Sequence, residues 1–112
     1  MTREELAAYC LAKPGAWADS PWGGDDHVVK VAEKIFVFLG DDTVGVKCGS
    51  SRAEADEWLE EFPGDAAVMA YIGRSGWNTL TVGASIPDDV ILEALDESYA
   101  KVVAGLPKSR RP

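Results

Sequence analysis

The sequence predicts an α+β domain in two layers, with helices on one face of a five-stranded antiparallel sheet. Two observations carry this reading. The stretch from Val28 to Lys47, VVKVAEKIFVFLGDDTVGVK, reads as three strands joined by two hairpin-length connections, which makes the three antiparallel. A second helical pattern and then two more strand patterns follow, so the strands fall into groups and helices do not alternate with every strand. The expected element order is α-β-β-β-α-β-β-α.

Thr2-Arg3-Glu4-Glu5 has the form of a capping box and opens a helix that runs to about Ala12, where Lys13-Pro14-Gly15 stops it. Ala16 to Asp26 reads as a loop rich in Gly, Pro, Asp and Trp. Trp17 and Trp22 are large for a loop, and their expected place is folded back as a lid on the core, a ligand role being the alternative. Strand patterns follow at His27 to Val31, Lys34 to Leu39 and Thr43 to Cys48, with turns at Ala32-Glu33 and Gly40-Asp41-Asp42. The middle strand is apolar from Ile35 to Leu39, where a strand with one wet face should alternate. In a two-layer fold either Ile35, Val37 and Leu39 or Phe36 and Phe38 must then look outward.

Ser51-Arg52-Ala53-Glu54 is a second capping box, and Ala55, Trp58, Leu59 and Phe62 follow at i, i+3, i+4 and i+7. With Leu95 and Val102, the last three are expected in the core. Pro63-Gly64 ends the helix. Ala66 to Tyr71 and Trp77 to Val82 are the fourth and fifth strand patterns. Pro87-Asp88-Asp89 opens the last helix, with proline in the first turn and acids at the positive end of the dipole. Its inner stripe is Ile91, Leu95, Ser98, Val102 and Leu106, and Pro107 ends it. Residues 1–107 are expected to form one domain and 108–112 a frayed basic tail.

The 112 residues are 46% hydrophobic, enough for a core without disulfides or metals. A net charge of −8 repels polyanions at long range and argues against a general nucleic-acid binder. Cys10 and Cys48 make neither a disulfide framework nor a metal site and are expected as reduced, partly buried thiols. No apolar run reaches transmembrane length and Met1 opens into a polar helix start, so a soluble cytoplasmic protein without membrane contact is expected.

Several short pieces run in order over nearly the whole chain: Lys13-Pro14-Gly15-Ala16, Val29-Lys30-Val31 with Lys34-Ile35-Phe36, Val46-Lys47-Cys48, Gly76-Trp77-Asn78-Thr79-Leu80, Ile86-Pro87-Asp88, and Ser98-Tyr99 with Val102-Val103. As an ordered set they resemble the YjbR/MmcQ-like family. The resemblance implies a two-layer fold similar to type III secretion chaperones and frataxin-like proteins, with its five strands in the order 1-2-5-4-3. Members of that family are often labelled DNA-binding. The chain departs from the pattern at Gly76, where relatives often carry histidine before the tryptophan.

Catalysis needs groups poised to exchange protons or attack. His27 stands alone at a strand start, Asp25-Asp26, Asp41-Asp42 and Asp88-Asp89 are turn and cap chemistry, and no metal-ligand spacing or phosphate loop occurs. No enzyme activity, cofactor or metal is expected. What remains is a surface. Alternation puts Lys47 and Trp77 on the face away from the helices, Lys30 joins them, Arg74 lies on the loop entering the fifth strand, and Asn78 is beside the tryptophan but should point inward. This patch suits an unidentified protein or a small anionic partner, with DNA as the alternative. The state in solution is expected to be a monomer or a weak homodimer.

Overall fold

The computed structural model describes residues 1–20 and 27–112. Trp22 and Asp25-Asp26 lie outside the described residues. Among the described residues three helices, α1 (Arg3–Leu11), α2 (Arg52–Glu61) and α3 (Asp88–Ala104), cover one face of a sheet of six strands. The strands are β1 (Ala16–Asp19), β2 (His27–Val31), β3 (Lys34–Leu39), β4 (Thr43–Lys47), β5 (Ala66–Val68) and β6 (Trp77–Thr81). Every pairing is antiparallel, and the spatial order is β1-β2-β3-β4-β6-β5.

This corrects the expected five-stranded sheet in the order 1-2-5-4-3. The start of the stretch read as a loop is a strand: Ala16–Asp19 pairs along β2, from Ala16 opposite Val31 to Asp19 opposite Val28. The expected order placed β6 beside β3, but β4 lies between them. The hairpin dictates this. Gly40 N–H bonds the Thr43 carbonyl at 2.9 Å, so the connection is too tight to admit another strand between β3 and β4. The last strand therefore adds to the far edge of β4, with Val44 opposite Leu80 and Lys47 opposite Trp77. β5 is also shorter than expected. Past it, Tyr71 takes φ +68° and Ile72 N–H bonds the Ala70 carbonyl at 2.8 Å, a γ-turn that ends pairing.

The apolar run in β3 is resolved by a bulge. Val29 faces Val37, but Lys30 faces Ile35, so Phe36 is an extra residue on its strand. Phe36 and Val37 both reach the helix side and are fully buried beside the buried Leu39, while Ile35 and Phe38 take the opposite face. Neither expected set looks outward as a whole. The bulge also breaks the ladder toward β4, and a side chain from α3 fills the gap. The Ser98 hydroxyl donates to the Phe36 carbonyl at 2.6 Å and accepts from Lys47 N–H at 2.9 Å. A buried serine thus replaces a backbone hydrogen bond and fixes α3 on the sheet.

The helices sit side by side, α1 over β1 to β3, α3 over β2 to β4, and α2 over β5 and β6. Thr2 and Glu5 form the first capping box in full. The second is half formed: Ser51 accepts from Glu54 N–H, but the Glu54 carboxylate turns to Ser50 N–H. Leu95 is fully buried, whereas Trp58, Leu59, Phe62 and Val102 are only partly buried against the core. No helix of the described residues is long and apolar enough to cross a membrane.

Ser98→Ala would strand the Phe36 carbonyl and the Lys47 amide in the interior. The expected loss is about 2–4 kcal/mol in urea unfolding. A loss below about 0.5 kcal/mol would mean that the two strands close into a direct bond.

Candidate functional site on the open sheet face

Side chains alternate across the sheet, so the residues opposite Val29, Val37, Val46 and Leu80 define the helix-free face. Trp17, Lys30 and Ile35 form one row of it; Val28, Phe38, Gly45, Thr79 and Ala67 form the next; Lys47 and Trp77 lie beyond. Trp17 is therefore a surface group on the edge strand rather than a lid on the core. It is 43% exposed, lies 5.1 Å from the Lys30 ammonium across its ring face, and donates its indole N–H to the Ala32 carbonyl at 2.8 Å. Trp77 is buried against Phe38 in an edge-to-face pair 5.7 Å apart. Gly45 leaves a notch there: a Cβ at that position would stand 3.0 Å from the end of Met69.

The cations of the proposed patch are largely engaged. The Lys30 ammonium is 2.8 Å from Asp19, and that contact holds the Asp19 carboxyl below its ordinary value. The Lys47 ammonium donates to the Ser75 carbonyl at 3.1 Å. Arg74 is exposed on the 3₁₀ turn Gly73–Ser75. Asn78 is absent from this face. It is fully buried on the helix side, where its amide donates to the Ala55 carbonyl at 2.9 Å.

The side chain that organises this end of the sheet is one that sequence reasoning missed. Arg52, at the start of α2, donates to Asp56 at 2.7 Å, to the Gly73 carbonyl at 2.7 Å, to the Trp77 carbonyl at 3.1 Å, and to the Asn78 amide oxygen. Its planar fork ties helix, turn and strand together, a geometry that lysine does not offer. The only sequence signal was its place in a capping box, which gave no hint of long-range partners.

The turn before Trp77 explains Gly76. Its φ is +97°, and an added Cβ would fall 2.2 Å from the Gly49 carbonyl oxygen. The backbone itself excludes histidine here unless the turn is rebuilt. The motif Gly76-Trp77-Asn78 thus reads as a left-handed cap, an aromatic for the open face and a buried amide for Arg52. The YjbR family model matches residues 11–101, a span that holds all of these positions. The chain belongs to the YjbR family. Two curated relatives, each called uncharacterized protein YjbR, come from Escherichia coli strains K12 and O157:H7. Each is 29% identical over 115 residues, covering 99% of this chain and 95% of the relative. A crystal structure of a Deinococcus radiodurans protein with a DUF419 domain is similar in fold. Its TM-score is 0.84 at 19% identity, over 97% of this chain and 84% of that one.

Elsewhere this YjbR-family chain carries a polar clasp between its first and last helices. Asp96 accepts from the Tyr9 hydroxyl at 2.7 Å and from the Lys13 ammonium at 2.5 Å, and Lys13 lies over the rings of Tyr9 and Tyr99. Burial pushes the Asp96 carboxyl up, but Lys13 and Tyr9 outweigh it and the net shift is downward. Hydrogen bonding to Asp96 raises the Tyr9 hydroxyl. Burial pushes the Cys10 thiol up to about 12 and the Cys48 thiol to about 11. Among the described residues no cluster of His, Cys, Asp and Glu is arranged to hold a metal ion.

Two predictions follow from these contacts. Arg52→Met should cost about 2–3 kcal/mol in urea unfolding, and Arg52→Lys should recover less than half of it; full recovery by lysine would show that charge, not the fork, matters. The pH dependence has two limits. The Asp96 contribution is present above about pH 4 and fades as pH falls through its lowered folded value. The Cys10 and Cys48 thiols contribute below their unfolded value and fade as pH rises past about 9, and Tyr9 follows past about 10. Stability should therefore fall by on the order of 1 kcal/mol for the buried Cys10 thiol between about pH 8 and 10. Cys10→Ala should flatten that limb, and an unchanged slope would contradict the assignment.

Proposed function

We propose that this chain is a non-enzymatic binding module that takes a partner protein on the open sheet face. The single observation that carries the reading is the composition of that face. Trp17, Ile35, Phe38 and Met69 are each partly or largely exposed on it, around the buried Trp77, in a chain whose helices leave this side uncovered. Apolar and aromatic surface of this kind on a small protein marks a contact site. Exposed Arg74 stands beside it on the turn into β6, so the favoured partner is an apolar segment that brings carboxylates alongside. The alternative, DNA, is weaker. Two of its expected contacts, Lys30 and Lys47, are already satisfied by Asp19 and Ser75, Asn78 points the other way, and the chain carries a net −8.

The test uses NMR titration of the isotopically labelled chain with a panel of short peptides, each an apolar run flanked by Asp or Glu. Binders should shift Ile35, Phe38, Thr79 and the Trp17 indole, and Ile35→Glu should weaken them at least tenfold. Shifts confined to the helix side, or none across the panel at millimolar peptide, would defeat the reading. In parallel, duplex and single-stranded DNA are titrated at 50 and 200 mM salt. Binding that steepens at low salt and is lost in Arg74→Ala would favour the alternative.

A further inference from the structure

The helix side has a second surface, built from different chemistry. α2 lies over β5 and β6 and α3 over β2 to β4, which leaves a cleft of about 360 Å³ between the two helices. Its floor is aromatic: Trp58 and Phe62, 5.9 Å apart and only partly buried. Its walls are acidic, Glu57 and Glu61 on α2 and Glu93 and Glu97 on α3. Among the described residues Glu57, Glu61 and Glu93 have no ion-pair partner, and Glu97 is 3.8 Å from Lys101.

We propose that this cleft binds a basic amphipathic helix of a partner protein, with the apolar stripe on Trp58 and Phe62 and lysines or arginines on the four glutamates. Charge complementarity selects the sign, because like charges on facing walls repel one another until a cation lies between them. The aromatic floor selects an amphipathic segment over a free cation, since the partly exposed Trp58 and Phe62 gain from apolar contact and cation–π approach. Spacing selects a helix. On each wall the two glutamates are four residues apart, about 6 Å along the axis, which matches basic residues at i and i+4 of an incoming helix. The volume lies at the low end of the roughly 300–1,000 Å³ typical of ligand sites and has room for a few side chains. The site is on the opposite side of the sheet from the open face and does not depend on it.

The experiment uses the full chain and an 18-residue amphipathic peptide of Leu and Lys, with its Leu/Glu counterpart and spermine as comparisons, by calorimetry at 150 mM salt. The Leu/Lys peptide should bind in the micromolar range and shift the Trp58 indole signal, and the Leu/Glu peptide should not. Glu57→Gln/Glu61→Gln/Glu93→Gln should weaken binding at least tenfold. Glu4→Gln/Glu33→Gln/Asp42→Asn, which removes the same charge elsewhere, should change it less than twofold, and Ile35→Glu should leave it intact. These exposed substitutions keep the fold intact for the comparison. Equal loss in both triple variants would show diffuse attraction and overturn the site. So would spermine binding as tightly as the peptide, or no peptide binding at all.

Discussion

The architecture depends on one buried hydroxyl. β3 carries five apolar residues in succession, which a regular strand would divide between a core and a wet surface. The bulge at Phe36 turns two adjacent large side chains inward, and its cost is a broken ladder to β4. Ser98 repairs that break from the helix layer by holding the Phe36 carbonyl and the Lys47 amide at once. An unpaired carbonyl and amide in the interior would be too costly to keep, so the bulge and the docking of α3 stand or fall together. The composition of the open face follows: Ile35 and Phe38 are what the bulge leaves outside.

A second fixed point lies at the other end of the sheet. Arg52 is tied to a turn, two strand residues and its own helix, and Asn78 completes the set by reaching Ala55. One of the family-like sequence pieces, Gly76-Trp77-Asn78-Thr79, sits on this network. Two of its residues have clear structural duties, the left-handed turn of Gly76 and the buried amide of Asn78. Trp77 and Thr79 look toward the open face, and Trp77 does so packed edge-to-face against Phe38. Likeness to the family over this motif therefore reports the fold more directly than it reports a ligand.

The two sides of the molecule differ in chemistry. On the sheet side, cations lie among aromatics and are largely neutralised within the chain. On the helix side, carboxylates line a cleft with an aromatic floor, and three of them have no ion-pair partner among the described residues. The net −8 of the chain is thus carried unevenly.

Local chemistry alone determined much of this protein. The first capping box, the helix stops, the two hairpins and the antiparallel sense of the central strands are set by neighbours in sequence, and capping, turn geometry and periodicity are neighbour effects. The helix-facing positions of β4 and β6 were legible for the same reason, because their alternation is regular. The family was legible too, from an ordered set of short pieces. Three things were decided only by the tertiary structure. Ala16–Asp19 became a strand because the edge of β2 offered it partners, which its own Gly- and Trp-rich setting does not announce. The order of the sheet followed from how tightly one hairpin closes against its neighbours. The polar residues expected in the patch were settled by contacts from afar: Asp19 on Lys30, Ser75 on Lys47, and, on the other side of the sheet, Arg52 on Asn78 across 26 residues. A hydrogen bond is short in space and unlimited in sequence separation, so no local pattern records it.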